Sequence, residues 1–241
     1  MQAGTNVNDI FLTDEKFILN SVDPISRQIY AFLKRAIIEC RLMPGDHLSE
    51  NEVSAKFNIS RQPVREALIK LSENGFVLIE PKKTTRVKRI SRSQVLQGAV
   101  IREAIESKII RKTAECINDK VIALLEENVH KQENVADDYN VHLHFSLDDE
   151  FHRIILSAPG YDKAWDIVET VKGSMDRLRF LSIEFELTPI SKTCRAHRKV
   201  LEALKKQDPD LAEKAMIQHL QETAESLSMV MDKCNPQWFS E

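Results

Sequence analysis

The sequence predicts a mainly α-helical chain with one small β-hairpin close to its N-terminus, on three observations. Only six glycines and 6% aromatics in 241 residues, against abundant Leu, Ile, Ala, Glu and Lys, favour helix. The apolar period is helical almost everywhere and turns strand-like once, near residues 76–88. The charge is divided: residues 20–92 hold fourteen basic and eight acidic side chains, a net +6, while the chain as a whole carries −3. The remainder therefore carries −9, so one basic module is joined to one acidic module, and only the first suits a polyanion.

Residues 1–19 show no sustained period and read as an arm. Ile25, Ile29, Leu33 and Ile37 recur every four residues, a helix opened by Asp23-Pro24 and broken by Met43-Pro44-Gly45-Asp46. Ser49 and Glu52 have capping-box spacing ahead of a short helix that turns Leu48, Val53 and Phe57 inward. After the turn at Asn58-Ile59, Ser60 is expected to cap a further helix whose Pro63 sits harmlessly in the first turn. Val64, Ala67, Leu68 and Leu71 make its buried face, and Gly75 ends it. Phe76–Ile79 and Arg86–Lys88 read as paired strands around a turn at Pro81–Thr85. Helix, helix, turn, helix, hairpin is a winged helix-turn-helix over residues 20–90, the expected DNA-binding domain.

Ile90-Ser91-Arg92-Ser93 reads as a linker. Residues 91–235 then show only helical stripes, the first through Val100, Ile101, Ala104, Ile105 and Ile109, with breaks at Asn118-Asp119, Asp137-Asp138, Pro159-Gly160, Pro189 and Asp208-Pro209. About six helices are expected, an all-α bundle, with residues 236–241 a C-terminal tail. No apolar run approaches the roughly 18–20 residues that span a bilayer, and the N-terminus lacks a basic, then apolar, leader. The four cysteines are scattered with no C-x-x-C pair, which fits a reducing, cytoplasmic compartment.

Ser60-Arg61-Gln62-Pro63-Val64-Arg65-Glu66-Ala67-Leu68 carries the most information. Arg61 and Arg65 lie four apart on the face opposite the apolar stripe, where a recognition helix presents arginines to guanine O6 and N7 in the major groove. Ser60 and the first helical amides suit a phosphate, and Lys82, Lys83 and Arg86 on the hairpin suit the adjacent backbone. In the acidic half, Asp148 and His152 share a helix face, and His197 and His219 lie on two later helices. By spacing alone they are compatible with an O/N₃ site for Zn²⁺, Ni²⁺ or Mn²⁺, but fit more simply a helix-surface pair beside two core-edge histidines. His142, His144 and Asp149 are assigned no role; Trp165, Arg177 and Arg179 are read as core and interface.

Leu48-Ser49-Glu50-Asn51-Glu52-Val53 and the Ser60–Leu68 run resemble the reading domain of the GntR superfamily, and the helical remainder resembles the FadR-type effector domain called FCD. The wing departs from that family in having Thr84-Thr85 where a glycine is usual, and Ala196 departs from the Glu that often precedes the third metal ligand. The resemblance implies a homodimeric repressor reading a palindromic double-stranded DNA operator, cytoplasmic and on the nucleoid when bound. It identifies Asp148-x-x-Phe151-His152 with the family's metal motif and His197 and His219 with the remaining ligands, zinc first among the candidate ions. It also implies a small carboxylate effector, such as a sugar acid, with Arg102 as its guanidinium clamp. A regulator sensing the ion alone, and a metal-dependent hydrolase, are the competing readings. The second lacks any recognisable catalytic base, and H-E-x-x-H is absent.

Overall fold

Helix α1 (Ile25–Ile38) forms because Ile29, Phe32, Leu33, Ala36 and Ile37 fall on one side, and all five are buried. It ends where Cys40 takes a left-handed conformation (φ 51°) and the Leu42 amide folds back onto the Ala36 carbonyl. The computed structural model describes residues 18–80, 85–138 and 140–241. The predicted arm therefore lies outside the described residues as far as position 17, and so do Lys82 and Lys83. Tyr139 is also outside, as are the side chains of Asp137 and Asp138.

In α2 (Glu50–Phe57) Ser49 accepts from the Glu52 amide at 3.4 Å, as the capping-box spacing predicts. Asn58 closes it in the left-handed region (φ 51°), a conformation Asn tolerates better than most residues. Helix α3 (Arg61–Glu73) buries Val64, Ala67, Leu68 and Leu71 against α1. Ser60 stands at its N-cap but makes no side-chain cap bond, a departure from the expected cap. Gly75, at φ +77°, lets the Phe76 amide return to the Leu71 carbonyl.

The expected hairpin is β2 (Val77–Leu78) with β3 (Thr85–Val87), joined by a strand the sequence reading assigned to no strand, β1 (His47–Leu48). The antiparallel order is β1-β3-β2, with Val77 opposite Val87 and Arg86 between His47 and Leu78. Leu48, Val77 and Val87 turn inward to the α1–α3 core. A two-residue strand cannot show a period, which is why β1 was invisible.

By contacts the chain divides into two compact units, residues 1–92 with 234–241, and residues 93–233. The C-terminal tail is thus part of the first unit. After a 3₁₀ turn (Pro236–Trp238), β5 (Phe239–Ser240) pairs in parallel with β4 (Ile90–Ser91), Ile90 opposite Phe239. Both residues are buried, and the Arg92 guanidinium lies 5.3 Å from the Phe239 ring.

The second unit has seven described helices: α4 (Arg92–Cys116, its first residue in the first unit), α5 (Asp119–Asp138), α6 (Val141–Ser157), α7 (Asp162–Val171), α8 (Gly173–Glu184), α9 (Ile190–Lys205) and α10 (Pro209–Lys233). The expected breaks are present; the one missed is Lys172-Gly173, because α8 is buried from Met175 through Ile183 and so shows no amphipathic period. At Gly98 of α4 an added Cβ would stand 2.7 Å from the Val171 carbonyl oxygen, so the close approach requires glycine. The expected inward stripe of α4 is a correction. Val100, Ile101 and Ala104 face outward, whereas Val95, Gly98, Arg102, Glu106 and Ile110 face the interior. Ion pairing permits that reversal, as the site geometry shows. Phe151, Ile155, Leu201, Leu204 and Met216 form the core beneath it.

Replacing Phe239 with Ala removes a buried ring and leaves a cavity in the first unit. We expect a loss of about 3 kcal/mol in its unfolding free energy, measured by denaturant titration; an unchanged midpoint would show that the tail does not contribute to that unit.

Candidate functional site

At the start of α3, Arg61, Gln62 and Arg65 are exposed while their apolar neighbours are buried. Gln62 donates to Glu66 at 3.1 Å. Arg65 makes a two-pronged pair with Glu50 at the head of α2, 3.1 Å at each contact, and that bond, then Glu50's charge, raises its pKa. An exposed pair of this kind is weak and exchangeable, so Glu50 sets the guanidinium's direction while leaving it available to a stronger anion. Ser60's hydroxyl is not committed to the helix it precedes. Arg86 is exposed on β3. The structure thus brings together Ser60, Arg61, Gln62 and Arg65 in one helix end, with Arg86 on the sheet of the same unit.

In the second unit, α6 presents Asp148 and His152 one turn apart, α9 supplies His197 and α10 supplies His219, all buried. The three imidazoles converge: Nε2 of His219 lies 3.3 Å from Nε2 of His197 and 3.3 Å from Nε2 of His152. The opposite edges of two rings are fixed. His152 Nδ1 meets Glu106 Oε2 at 2.5 Å, and Arg102 donates to Glu106 Oε1 at 2.6 Å. His197 Nδ1 meets Gln132 Oε1 at 2.7 Å, and the Gln132 amide nitrogen is spent on Asn128 and the Leu147 carbonyl. An acceptor on each Nδ1 places the proton there and turns the bare lone pair of Nε2 to the centre. Burial, then the neighbouring histidines, lowers His197; burial, then His152, pushes His219 down to about 3. Converging lone pairs repel one another unless a cation lies between them. Nitrogens bound at about 2.1 Å and 90–110° would stand about 3.0–3.4 Å apart, the spacing seen. The residues fit a divalent metal.

Asp148 is placed differently from the simple four-ligand expectation. Its two oxygens receive Arg179 at 2.7 and 2.9 Å, and Oδ1 lies 3.7 Å from His197 Nε2. Burial alone would raise this carboxyl, but Arg179, then His152 and His197, hold it well below the usual range. It stands at the edge of the triad as a permanent anion. Glu106 is likewise held low against its own burial by Arg102 and His152. Arg102 is thus buried behind His152, bound to that histidine's supporting carboxylate.

A small cavity of about 40 Å³ reaches His219 from between α8, α9 and α10, with Arg179, Lys192, Ala196, Thr223 and Ser226 among its walls. Lys192 donates to Ser226 at 3.0 Å. The residues sequence reasoning missed are Glu106, Gln132, Arg179 and Lys192. Glu106, four residues after Arg102, carried a usable signal in its ion-pair spacing; Arg179 carried none, having been read as core or interface.

Comparison with known proteins follows this division. Residues 25–87 match the family described as bacterial regulatory proteins, gntR family, and residues 98–222 match the FCD domain. The chain is 42% identical over 223 residues to the HTH-type transcriptional repressor RspR of Escherichia coli (strain K12), covering 92% of this chain and 97% of that one. It is 27% identical over 216 residues to the HTH-type transcriptional repressor NanR of Edwardsiella tarda (strain FL6-60), covering 81% and 82%. Among solved structures, E. coli McbR/YncC superposes with a TM-score of 0.75 at 18% identity over 89% of this chain and 100% of that one, a likeness of fold.

Changing Glu106 to Gln keeps the side chain's size and removes the charge that orients His152. Zn²⁺ affinity, measured by competition with a chelator, is expected to fall by about 10–100-fold; an affinity equal to the parent's would remove Glu106 from the site.

Proposed function

The chain belongs to the gntR family of bacterial regulatory proteins, with an FCD domain in its second part, and on that premise we propose a repressor that binds operator DNA as a homodimer and is controlled by a small carboxylate at a metal centre. Its family makes it a transcriptional regulator and not an enzyme. The observation that carries the proposal is the pairing, in one chain, of an exposed arginine-bearing helix start with a buried triad of imidazole lone pairs.

We assign DNA reading to residues 20–90 and effector binding and dimerisation to 91–235, with 1–19 an arm and 236–241 a tail. The N-terminus of α3 enters the major groove, Arg61 and Arg65 address base edges with Gln62 beside them, and Ser60 with the first amides holds a phosphate. Arg86 lies along the flanking backbone, where Lys82 and Lys83 are also assigned. One short helix reads few bases, so a symmetric pair reading a palindrome doubles the contact. The outward Val100 and Ile101 of α4 support a surface that a second copy covers. No described helix is long and apolar enough to cross a membrane, and the proposed place of action is the cytoplasm, on the nucleoid when DNA is bound.

His152, His197 and His219 hold the ion, with Asp148 at its edge as the fourth ligand; zinc is the first candidate, then nickel or manganese. The bound metal supplies a Lewis-acid anchor for a carboxylate oxygen. Arg179 and Lys192 supply positive charge on the cavity side, which suits an anionic effector better than a sensor of the ion alone. Arg102 acts behind the site, through Glu106, and its field also reaches His219. Control follows from unequal ligand affinity between the DNA-bound and released states.

Arg61→Ala and Arg65→Ala are each expected to weaken operator binding by about 1–3 kcal/mol and to relax specificity at one position, read by electrophoretic shift against scrambled DNA. Equal binding by both variants and the parent would remove α3 as the reader. The double change His197→Ala and His219→Ala is expected to abolish metal content while sparing operator affinity. If elemental analysis still finds a full equivalent of metal, the ion is held elsewhere.

A further inference from the structure

The chain passes from the first unit to the second after Arg92 and returns to the first after Lys233. Both crossings are helix ends. Helix α4 starts directly on β4, with no residue between Ser91 and Arg92, and α10 runs unbroken for 25 residues up to Lys233. Beyond its first residue α10 holds neither glycine nor proline, so it has no built-in kink. Its last turn is fixed by packing, with Val230 and Met231 buried and Cys234 buried behind them. Residues 234–241 then return to the strand from which α4 departs, where Phe239 pairs with Ile90.

Both helices also reach the histidine cluster, and at matching heights. Glu106, which backs His152, lies fourteen residues after Arg92, and His219 lies fourteen residues before Lys233. At 1.5 Å per residue each arm is about 21 Å long. Past the cluster the two helices are tied again, since Arg111 of α4 donates to Asp210 and Glu213 of α10 at 2.6 Å. The clip at the near end is small. It has two residues on each strand, and the Ser91 hydroxyl donates to the Glu241 main-chain oxygen at 3.3 Å. Ile90 and Phe239 are both buried, which fixes the register, because a slip of one residue would turn a side chain outward.

We propose that residues 234–241 are a strap that passes the state of the metal centre from α10 to the first unit. This rests on the metal reading given above. An ion that draws the His219 ring towards His152 and His197 sets the height of α10. A helix without a kink hands that height on to Lys233, and the strap hands it to β5. Since α4 starts at β4, the strand pair compares the positions of two helices fixed at one centre. With the ion bound the two arms agree and the pair closes. Without it, repulsion among the lone pairs releases α10, and two residues per strand have little to hold them. Only Lys88 and Arg89 separate β4 from β3, the strand that carries Arg86. Whatever orders β4 therefore steadies the sheet of the winged helix-turn-helix.

The test is peptide-resolved amide hydrogen exchange on the full chain, with and without Zn²⁺. Zn²⁺ is expected to slow exchange over residues 85–91 and 234–241 by roughly 5-fold or more, the scale of coupling between distant sites. A short Gly-Ser insertion between Lys233 and Cys234 gives the strap slack while leaving Phe239 and its partner strand in place. That variant should bind Zn²⁺ within a few-fold of the parent's affinity and still slow around His219, while the effect on residues 85–91 is lost. A purely structural tail would not respond to slack in this way. Should the insertion unfold the tail by itself, Phe239→Ala, which loosens the anchor in place, carries the same comparison. A parent whose first unit ignores bound Zn²⁺ overturns the proposal. So does a slackened variant that responds as the parent does, because α4 alone then carries the signal. A parent that binds no Zn²⁺ overturns the metal reading, and the strap with it.

Discussion

Three buried imidazoles converging on one point, with His219 Nε2 3.3 Å from Nε2 of both His197 and His152, are an arrangement that much of the second unit serves. Each ring needs an outer partner to fix its tautomer, and each partner must be held in turn. Glu106 backs His152 and is held by Arg102; Gln132 backs His197 and is held by Asn128. These requirements decide which face of α4 is buried. Arg102 and Glu106 turn inward as a closed ion pair, and Val100 and Ile101 are left outside. Breaking such a pair by removing one partner would strand a buried charge, so the helix cannot rotate to bury its apolar stripe instead.

The same economy explains Arg179. Its guanidinium neutralises Asp148, lies 3.6 Å from Asp176 and 4.9 Å from the Phe145 ring, and borders the cavity beside His219. Asp176 in turn binds the buried Lys172, which also holds Asp149. A line of alternating charges therefore runs from Lys172 and α8 to the cluster of His152, His197 and His219. Lys172, Arg179 and Asp148 stay ionised because their neighbours outweigh the desolvation that burial imposes.

In the first unit the constraint is reversed, since the groups of interest must stay exposed. A small core of α1, α3 and three short strands fixes α3 by its apolar face and leaves Arg61 and Arg65 outside. Among the described residues Arg65 is held by Glu50, in a surface pair that an incoming anion can displace. The tail adds its own anchor at Phe239, beside the residues from which α4 starts.

By itself, the sequence determined most of the helices of both units and the turn residues of the reading head, and it singled out the three histidines that the fold brings together, because these follow from local spacing and from motifs. Ser49, Asn58, Gly75 and the Ser60–Leu68 run act over a turn or less of chain, and one sequence shows them all. Only the tertiary structure decided which side of α4 faces inward, that α8 is a separate buried helix, that the tail rejoins the first unit as a strand, and that Arg179 rather than Arg102 borders the cavity. Those outcomes depend on partners from 31 residues (Arg179 to Asp148) to 150 residues (Ser91 to Glu241) away along the chain. Burial of charge is settled by such distant pairings, and periodicity cannot register them.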